Sequence, residues 1–264
     1  SVSRGLGDVY KRQMKRFENK VAIVTGGSRD LGRAVSVQLA AEGAKVCVNY
    51  FGSEAAAKET AELIAQVGGE CILVKGDMTK VADVKNLVAE TQKAFGEKID
   101  VLVNVVGGMV GRKKIAEQED DWYDIVMDVN MRSVWLATRA VVPFMTAGAS
   151  IVNFSSLAAR DGGGAGASLY ATSKAAVSTF TRSMAKELGP DGIRVNAVCP
   201  GTIATSFHDI FNTPENRERM KGNYPLRREG QADEVADLVC YLASDEASYI
   251  TGANIDINGG VFFS

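Results

Sequence analysis

Seven short runs rich in valine, isoleucine and leucine, separated by longer stretches of helical periodicity, constrain this chain more than any other feature. The runs fall at 21–25, 45–49, 71–74, 99–104, 150–154, 194–198 and 254–257. None alternates polar with apolar residues, so each suits a strand buried on both faces, as in a parallel sheet. Apolar residues recur with helical spacing near 31–42, 54–67, 80–95, 120–146, 168–188 and 231–243. This alternation predicts an α/β chain, doubly wound, with a seven-stranded parallel sheet and helices on both faces. The 264 residues suit one such domain, and no internal repeat or Pro/Ser-rich linker divides them.

Several function classes are excluded early. The net charge of −2 gives no basic surface for nucleic acid, and the longest apolar runs, such as 101–106, are far too short to span a bilayer. The cysteines, Cys47, Cys71, Cys199 and Cys240, sit among apolar neighbours. No Cys-x-x-Cys pair or adjoining histidine points to a metal, and buried, reduced thiols are expected. Residues 1–13 are basic, without an apolar run of the kind a signal peptide needs, and Met14 opens a more natural start. They are set apart as a leader, with the domain over 14–264 and a cytoplasmic location expected. One stretch, 202–225, breaks the strand–helix rhythm at the carboxyl end of a strand. A substrate lid and a surface helical excursion both fit it.

Chemistry enters after the first run, in Thr25-Gly-Gly-Ser-Arg-Asp-Leu-Gly32. Glycines there permit a tight turn and let backbone N–H groups approach a pyrophosphate at a helix N-terminus. A second signal is Tyr170-Ala-Thr-Ser-Lys174, with Ser155-Ser156 closing the preceding run. Tyrosine and lysine at i, i+4 share a helix face. A phenol titrates near pH 10, and a nearby ammonium favours its ionised form. Either pattern alone arises by chance; together they point to a proton-transferring site beside a dinucleotide.

These residues resemble the short-chain dehydrogenase/reductase family. Thr25-Gly26 with Gly32 is similar to its Thr-Gly-x-x-x-Gly-x-Gly fingerprint, except that Asp30 replaces the middle glycine. An acid near phosphates is costly unless Arg29 offsets it. The resemblance implies a Rossmann fold and a nicotinamide cofactor held by Gly26, Ser28, Arg29, Leu31 and Gly32 of the loop. The second run ends Asn49-Tyr50 without the acid that would accept ribose hydroxyls. Arg29 either pairs with a 2′-phosphate or with Asp30, and NADP(H) is favoured over NAD(H). Asp77 and Met78 resemble the family's adenine-side residues, although an ordinary helix-initiating acid would look the same. Asn104 and Gly107 match the outer positions of its Asn-Asn-Ala-Gly. Pro200, Gly201, Ile203 and Thr205 resemble the segment that holds the carboxamide. The ending Asp256-Ile-Asn-Gly-Gly260 matches too, so the likeness runs from about 20 to 260.

In that family the tyrosine protonates a carbonyl oxygen and the lysine binds the nicotinamide ribose and lowers the phenol's pKa. The serine hydrogen-bonds the substrate carbonyl and an asparagine orders a water. By position these are Tyr170, Lys174, Ser156 and Asn130, with Ser155 left open as the alternative serine because the stretch to Tyr170 is one residue longer than in many members. Arg112, Arg160 and the single histidine, His208, follow strand ends and are expected on one rim, suiting a carboxylate-bearing small molecule. Their surroundings resemble reductases of the alginate-derived keto acid 4-deoxy-L-erythro-5-hexoseulose uronate. A 3-oxoacyl-carrier-protein reductase, another sugar or alcohol dehydrogenase, and more remotely a non-catalytic dinucleotide sensor are the alternatives. The family likeness further implies a homotetramer assembled through the helices at 120–146 and 168–188.

Overall fold

The structure is a computed structural model that describes residues 15–206, 211 and 213–263. The expected leader, 1–13, therefore lies outside the described residues. Every expected strand forms: β1 (Val21–Thr25), β2 (Lys45–Tyr50), β3 (Glu70–Lys75), β4 (Val101–Asn104), β5 (Ser150–Phe154), β6 (Arg194–Pro200) and β7 (Asn254–Ile257). They pair in parallel in the order β3-β2-β1-β4-β5-β6-β7.

Successive side chains on a strand point to opposite faces, and here both faces are covered. Val24, Val46, Val103 and Val152 pack with Leu39 of α1 (Asp30–Ala41) and Val235 and Val239 of α9 (Ala232–Ala243). Their strand neighbours Ile23, Cys47, Leu102 and Ile151 pack on the other face. The helices there are α3 (Val81–Phe95), α5 (Ser133–Val141) and α7 (Ser168–Leu188), which contribute Leu87, Leu136 and Leu188. The remaining long crossover, α2 (Glu54–Gln66), starts at Ser53, whose hydroxyl accepts from the Ala56 amide. Chain order reverses between β1 and β4, which opens a crevice at their carboxyl ends.

Two segments differ from expectation. The stretch 120–146 is not one helix. It runs as α4 (Trp122–Met127), a π turn over Asp128–Arg132, α5, and a 3-10 turn over Val142–Phe144. Pro143 lacks the amide an α-helix would need at that point. In the irregular stretch after β6, a short helix α8 (Pro214–Lys221) starts at Thr213, whose hydroxyl accepts from the Asn216 amide. Arg217 of α8 pairs with the buried Glu229 at 2.6 Å, and the Thr202 and Tyr224 hydroxyls meet at 2.5 Å. Between α6 (Ala158–Asp161) and α7 the chain is a glycine-rich turn.

Cys47, Cys199 and Cys240 are buried and Cys71 is half-buried, all as free thiols. Burial pushes the Cys47 thiol up to about 12, which suppresses its thiolate. Among the described residues, no helix is long and apolar enough to cross a membrane, and no group of three or more histidine, cysteine and acidic side chains is placed to hold a metal.

Candidate active site

A cleft of about 730 Å³ opens over the carboxyl ends of the central strands. β1 delivers Thr25, whose buried hydroxyl accepts from the amides of Val105 and Val106 at 3.2 and 3.4 Å, which ties the exits of β1 and β4. The loop that follows packs too tightly for a side chain at Gly32, where a Cβ would lie 2.1 Å from the Gly26 carbonyl oxygen. Gly26, Ser28, Arg29, Leu31 and Gly32 face the cleft, as does Tyr50 at the end of β2.

Asp30 holds φ +49, the left-handed region where a glycine is easiest, but which aspartate tolerates better than most residues. Its carboxylate is taken by Ser206 rather than by Arg29. Arg29 is left on the cleft wall.

Four residues expected at the cofactor have their side chains engaged elsewhere. Asn49 points inward: its Oδ1 accepts from the Gly26 amide at 3.1 Å and its Nδ2 donates to the Gly76 carbonyl at 3.0 Å. It braces the exits of three strands from behind. Asn104 donates to Asn153 at 2.9 Å, and Asn153 to Thr181 at 3.0 Å, a buried link from β4 through β5 to α7. Asp77 accepts from the Thr79 amide and hydroxyl at 2.9 and 2.8 Å, a local turn before α3. Met78 is in the core. None of the four lines the cleft. Phe51, Gly52 and Ser53 line it at that end instead. The only sequence signal for Phe51 was an apolar residue just past a strand end.

The catalytic candidates converge at the other end. Ser155 Oγ donates to the Lys174 carbonyl at 2.9 Å and meets Ser178 Oγ at 2.7 Å, so it fastens α7 to β5. Both serines line the cleft, and it is Ser156 that hydrogen-bonds Tyr170. Lys174 is buried, its Nζ donating to the Phe154 carbonyl at 2.8 Å. Asn130, fully buried in the π turn, accepts from the Gly108 amide at 2.9 Å and donates to the carbonyls of Gly108 and Val126 at 2.9 and 3.0 Å. With both amide hydrogens spent on backbone, its side chain positions the chain after β4. Gly107 lies between these groups at φ +154, where a Cβ would sit 2.6 Å from Lys174 Nζ and 2.8 Å from Asn130 Oδ1.

The electrostatics differ from the expected picture. Burial raises the Tyr170 phenol above its usual value, and the hydrogen bond with Ser156 opposes that rise. Lys174 is itself pulled down to about 8 by desolvation, with nearby Cys199 acting the other way. At neutral pH the phenol keeps its proton and the lysine most of its charge.

Pro200, Gly201, Ile203 and Thr205 all line the cleft, with Ala204 fastened to the Gly230 carbonyl at 2.9 Å. Of the two expected rim residues that are described, Arg112 lines the cleft, its Nη1 donating to the Ala165 carbonyl at 3.1 Å. Arg160 is corrected: its guanidinium bonds Asp256 at 3.1 Å and the Asn254 carbonyl at 2.7 Å, locking α6 to β7. His208 lies outside the described residues. Asp161, not singled out from the sequence, lines the cleft instead.

A family model described as Enoyl-(Acyl carrier protein) reductase matches residues 26–262. The chain belongs to the short-chain dehydrogenase/reductase family. The 3-oxoacyl-[acyl-carrier-protein] reductase FabG of Staphylococcus epidermidis is 37% identical over 92% of this chain and 99% of its own. An NADH-dependent reductase, A1-R′, responsible for alginate metabolism is 32% identical at a TM-score of 0.87, covering 95% of this chain and 100% of its own. A short-chain dehydrogenase from Burkholderia cenocepacia, solved with NADP, is 34% identical at a TM-score of 0.86, covering 93% and 99%. The family binds a nicotinamide dinucleotide, and the cleft fits one: Gly26 and Gly32 bring the backbone close at the start of the helix, and Gly107 leaves room only for backbone beside Lys174.

Gly107→Ala places a methyl into Lys174 and Asn130. Carbonyl reduction is expected to fall at least about tenfold while the fold persists, read by steady-state kinetics beside circular dichroism. The pH dependence follows from the lysine. Its depressed value means the ammonium is present below about 8 and is lost as pH rises past it. The phenol, shifted upward, stays protonated over that range. The reduction rate is therefore expected to decline above pH ~8, approaching tenfold per unit. A profile flat to pH ~10 would show that the lysine charge is not required.

Proposed function

We propose that this chain is a nicotinamide-dependent carbonyl reductase acting on an anionic keto-sugar acid of the 4-deoxy-L-erythro-5-hexoseulose uronate type. The observation that carries the reading is the cluster of Ser156, Tyr170 and Lys174 at one end of a dinucleotide-sized cleft, with Arg112 at its mouth. A bound nicotinamide cofactor supplies the hydride. Tyr170 gives its phenolic proton to the carbonyl oxygen, and Ser156 donates a hydrogen bond that fixes that oxygen beside the phenol. Lys174 keeps a positive charge beneath them, and Asn130 holds Gly107 and Gly108 in place.

The mouth supports the substrate class. Arg112 offers a charged donor to a carboxylate, while Asp161 offers an acceptor to hydroxyl groups on the same wall. A keto-sugar acid presents both. The similarity to the alginate-metabolism reductase supports the same reading. A second reading, reduction of a 3-oxoacyl group on carrier protein, is favoured by the family description and by the 37% identity to FabG. For the cofactor, NADPH is preferred over NADH in this reading. Arg29, Tyr50 and Ser53 face the adenosine end, and the one acid of that loop, Asp30, is turned away to Ser206. Assembly as a homotetramer belongs to the reading, with Tyr123 and Trp135 exposed on the α4–α5 segment.

Tyr170→Phe removes the proton donor and little volume. It is expected to lower the reduction rate about 10²- to 10⁴-fold, with cofactor binding retained, followed by NADPH absorbance. Arg112→Met is expected to raise KM for uronate-type keto acids about tenfold while leaving uncharged ketones unchanged. Turnover of carrier-bound 3-oxoacyl thioesters with none of the uronate would overturn the substrate assignment in favour of the second reading.

A further inference from the structure

Asp30 and Ser206 lie far apart in the topology yet touch. Asp30 follows β1 and Ser206 follows β6, and β4 and β5 stand between those strands. Three interstrand steps of about 4.8 Å separate the two strand ends by roughly 14 Å. To reach Asp30, the chain leaving β6 has to run back across the ends of β4 and β5. Gly107 and Ser156 emerge there, inside the cleft.

The join is made through the Asp30 carboxylate. Its Oδ1 accepts from the Ser206 amide at 3.0 Å and its Oδ2 from the Ser206 hydroxyl at 2.6 Å. The near end of the same segment is fastened at Ile203 and Ala204 against Gly230. Both partners line the cleft, so their contact forms part of its wall. A glycine at position 30 would satisfy the backbone at φ +49 and make no such contact. An aspartate there also occupies the first position of α1, beside the amides that would receive a diphosphate. Left loose, its carboxylate would compete for those amides; hydrogen-bonded to Ser206, it points across the cleft instead.

We propose that Asp30 is a positioning residue that straps the Thr205–Ser206 segment over the bound dinucleotide, so that cofactor exchange requires the Asp30–Ser206 contact to open. This rests on the reading that the cleft takes a nicotinamide dinucleotide. The strap slows entry and release together, and it is the work of an acid at a glycine position.

The test uses the full chain and the variants Asp30→Gly, Asp30→Asn and Ser206→Ala. NADPH release is followed by stopped-flow fluorescence after mixing the complex with excess NADP⁺. Asp30→Gly and Ser206→Ala are each expected to release NADPH about threefold to tenfold faster, the effect of losing exposed hydrogen bonds to a charged group. Asp30→Asn keeps one acceptor for the Ser206 amide and is expected to fall between them and the parent. Hydrogen exchange of the peptide containing Thr205 and Ser206, measured without cofactor, is expected to quicken in the same order. Faster exchange with unchanged release would overturn the strap, as would release rates equal to the parent in both Asp30→Gly and Ser206→Ala. Failure of the parent chain to bind either NADPH or NADH would instead sink the cofactor reading, and the strap with it.

Discussion

Asn130 is shut away from solvent, and its carboxamide spends both hydrogens and its oxygen on the backbone of Gly108 and Val126. A buried amide left unmatched would cost about 1–3 kcal/mol for each missing bond. The chain leaving β4 is therefore held at one height against the helix, and much of the site takes its place from that. Gly107 is pressed against Lys174 Nζ, leaving no space for a methyl group. Lys174 reaches the carbonyl of Phe154, the last residue of β5, and Ser155 and Ser156 follow directly. A π turn at this level fits the same logic. A side chain donating into the helical carbonyl ladder at Val126 needs the ladder opened, and one extra residue in the turn opens it.

Burial acts on the two titrating groups in opposite directions. Removing water disfavours whichever form is charged, so it raises the phenol and lowers the ammonium. Their pKa values, ordinarily close together, are therefore driven apart, with the lysine below the phenol. Near neutrality the phenol holds its proton, the form a donor needs for reduction, and the lysine remains largely cationic. Ser156 is the opposing influence on Tyr170, since a hydrogen bond to the phenol oxygen favours its ionised form. Desolvation thus acts on both members of the pair, and the Lys174 ammonium is held in place by the Phe154 carbonyl.

The sheet was legible because its interior strands are apolar on both faces, and such runs have few other uses. Their ends moved by no more than two residues, as where β6 extends through Cys199 to Pro200. The break at Asp128–Arg132 was not legible, since Asp-Val-Asn-Met-Arg carries ordinary helical spacing and only the buried carboxamide demands the wider turn. Tyr170, Lys174 and Ser156 were legible because they belong to one helix and one strand end. Asn49 and Asn104 misled because a polar residue at a strand end can face the cleft or the interstrand space, and each found backbone or side-chain partners inward. Arg160 misled for a related reason. A charged residue after a strand reads as surface, but Asp256, 96 residues further on, meets it at 3.1 Å. Long-range ion pairs of this kind leave no local trace.

Two irregularities in the sequence looked independent: an acid in a glycine position, and an insertion after the sixth strand. In the fold they meet. The parallel order brings the chain after β6 back toward β1 over two intervening strand ends, and the residue waiting there is Asp30. Each irregularity makes the other tolerable. The returning segment presents an amide and a hydroxyl at Ser206, and the charged acceptor that meets them is the acid that would otherwise crowd a phosphate site. Arg29, freed from pairing with its neighbour, stays on the cleft wall as a cation. The departure from the glycine pattern is therefore a change in how the cleft is covered, and the loop's geometry around Gly26 and Gly32 is unaffected by it.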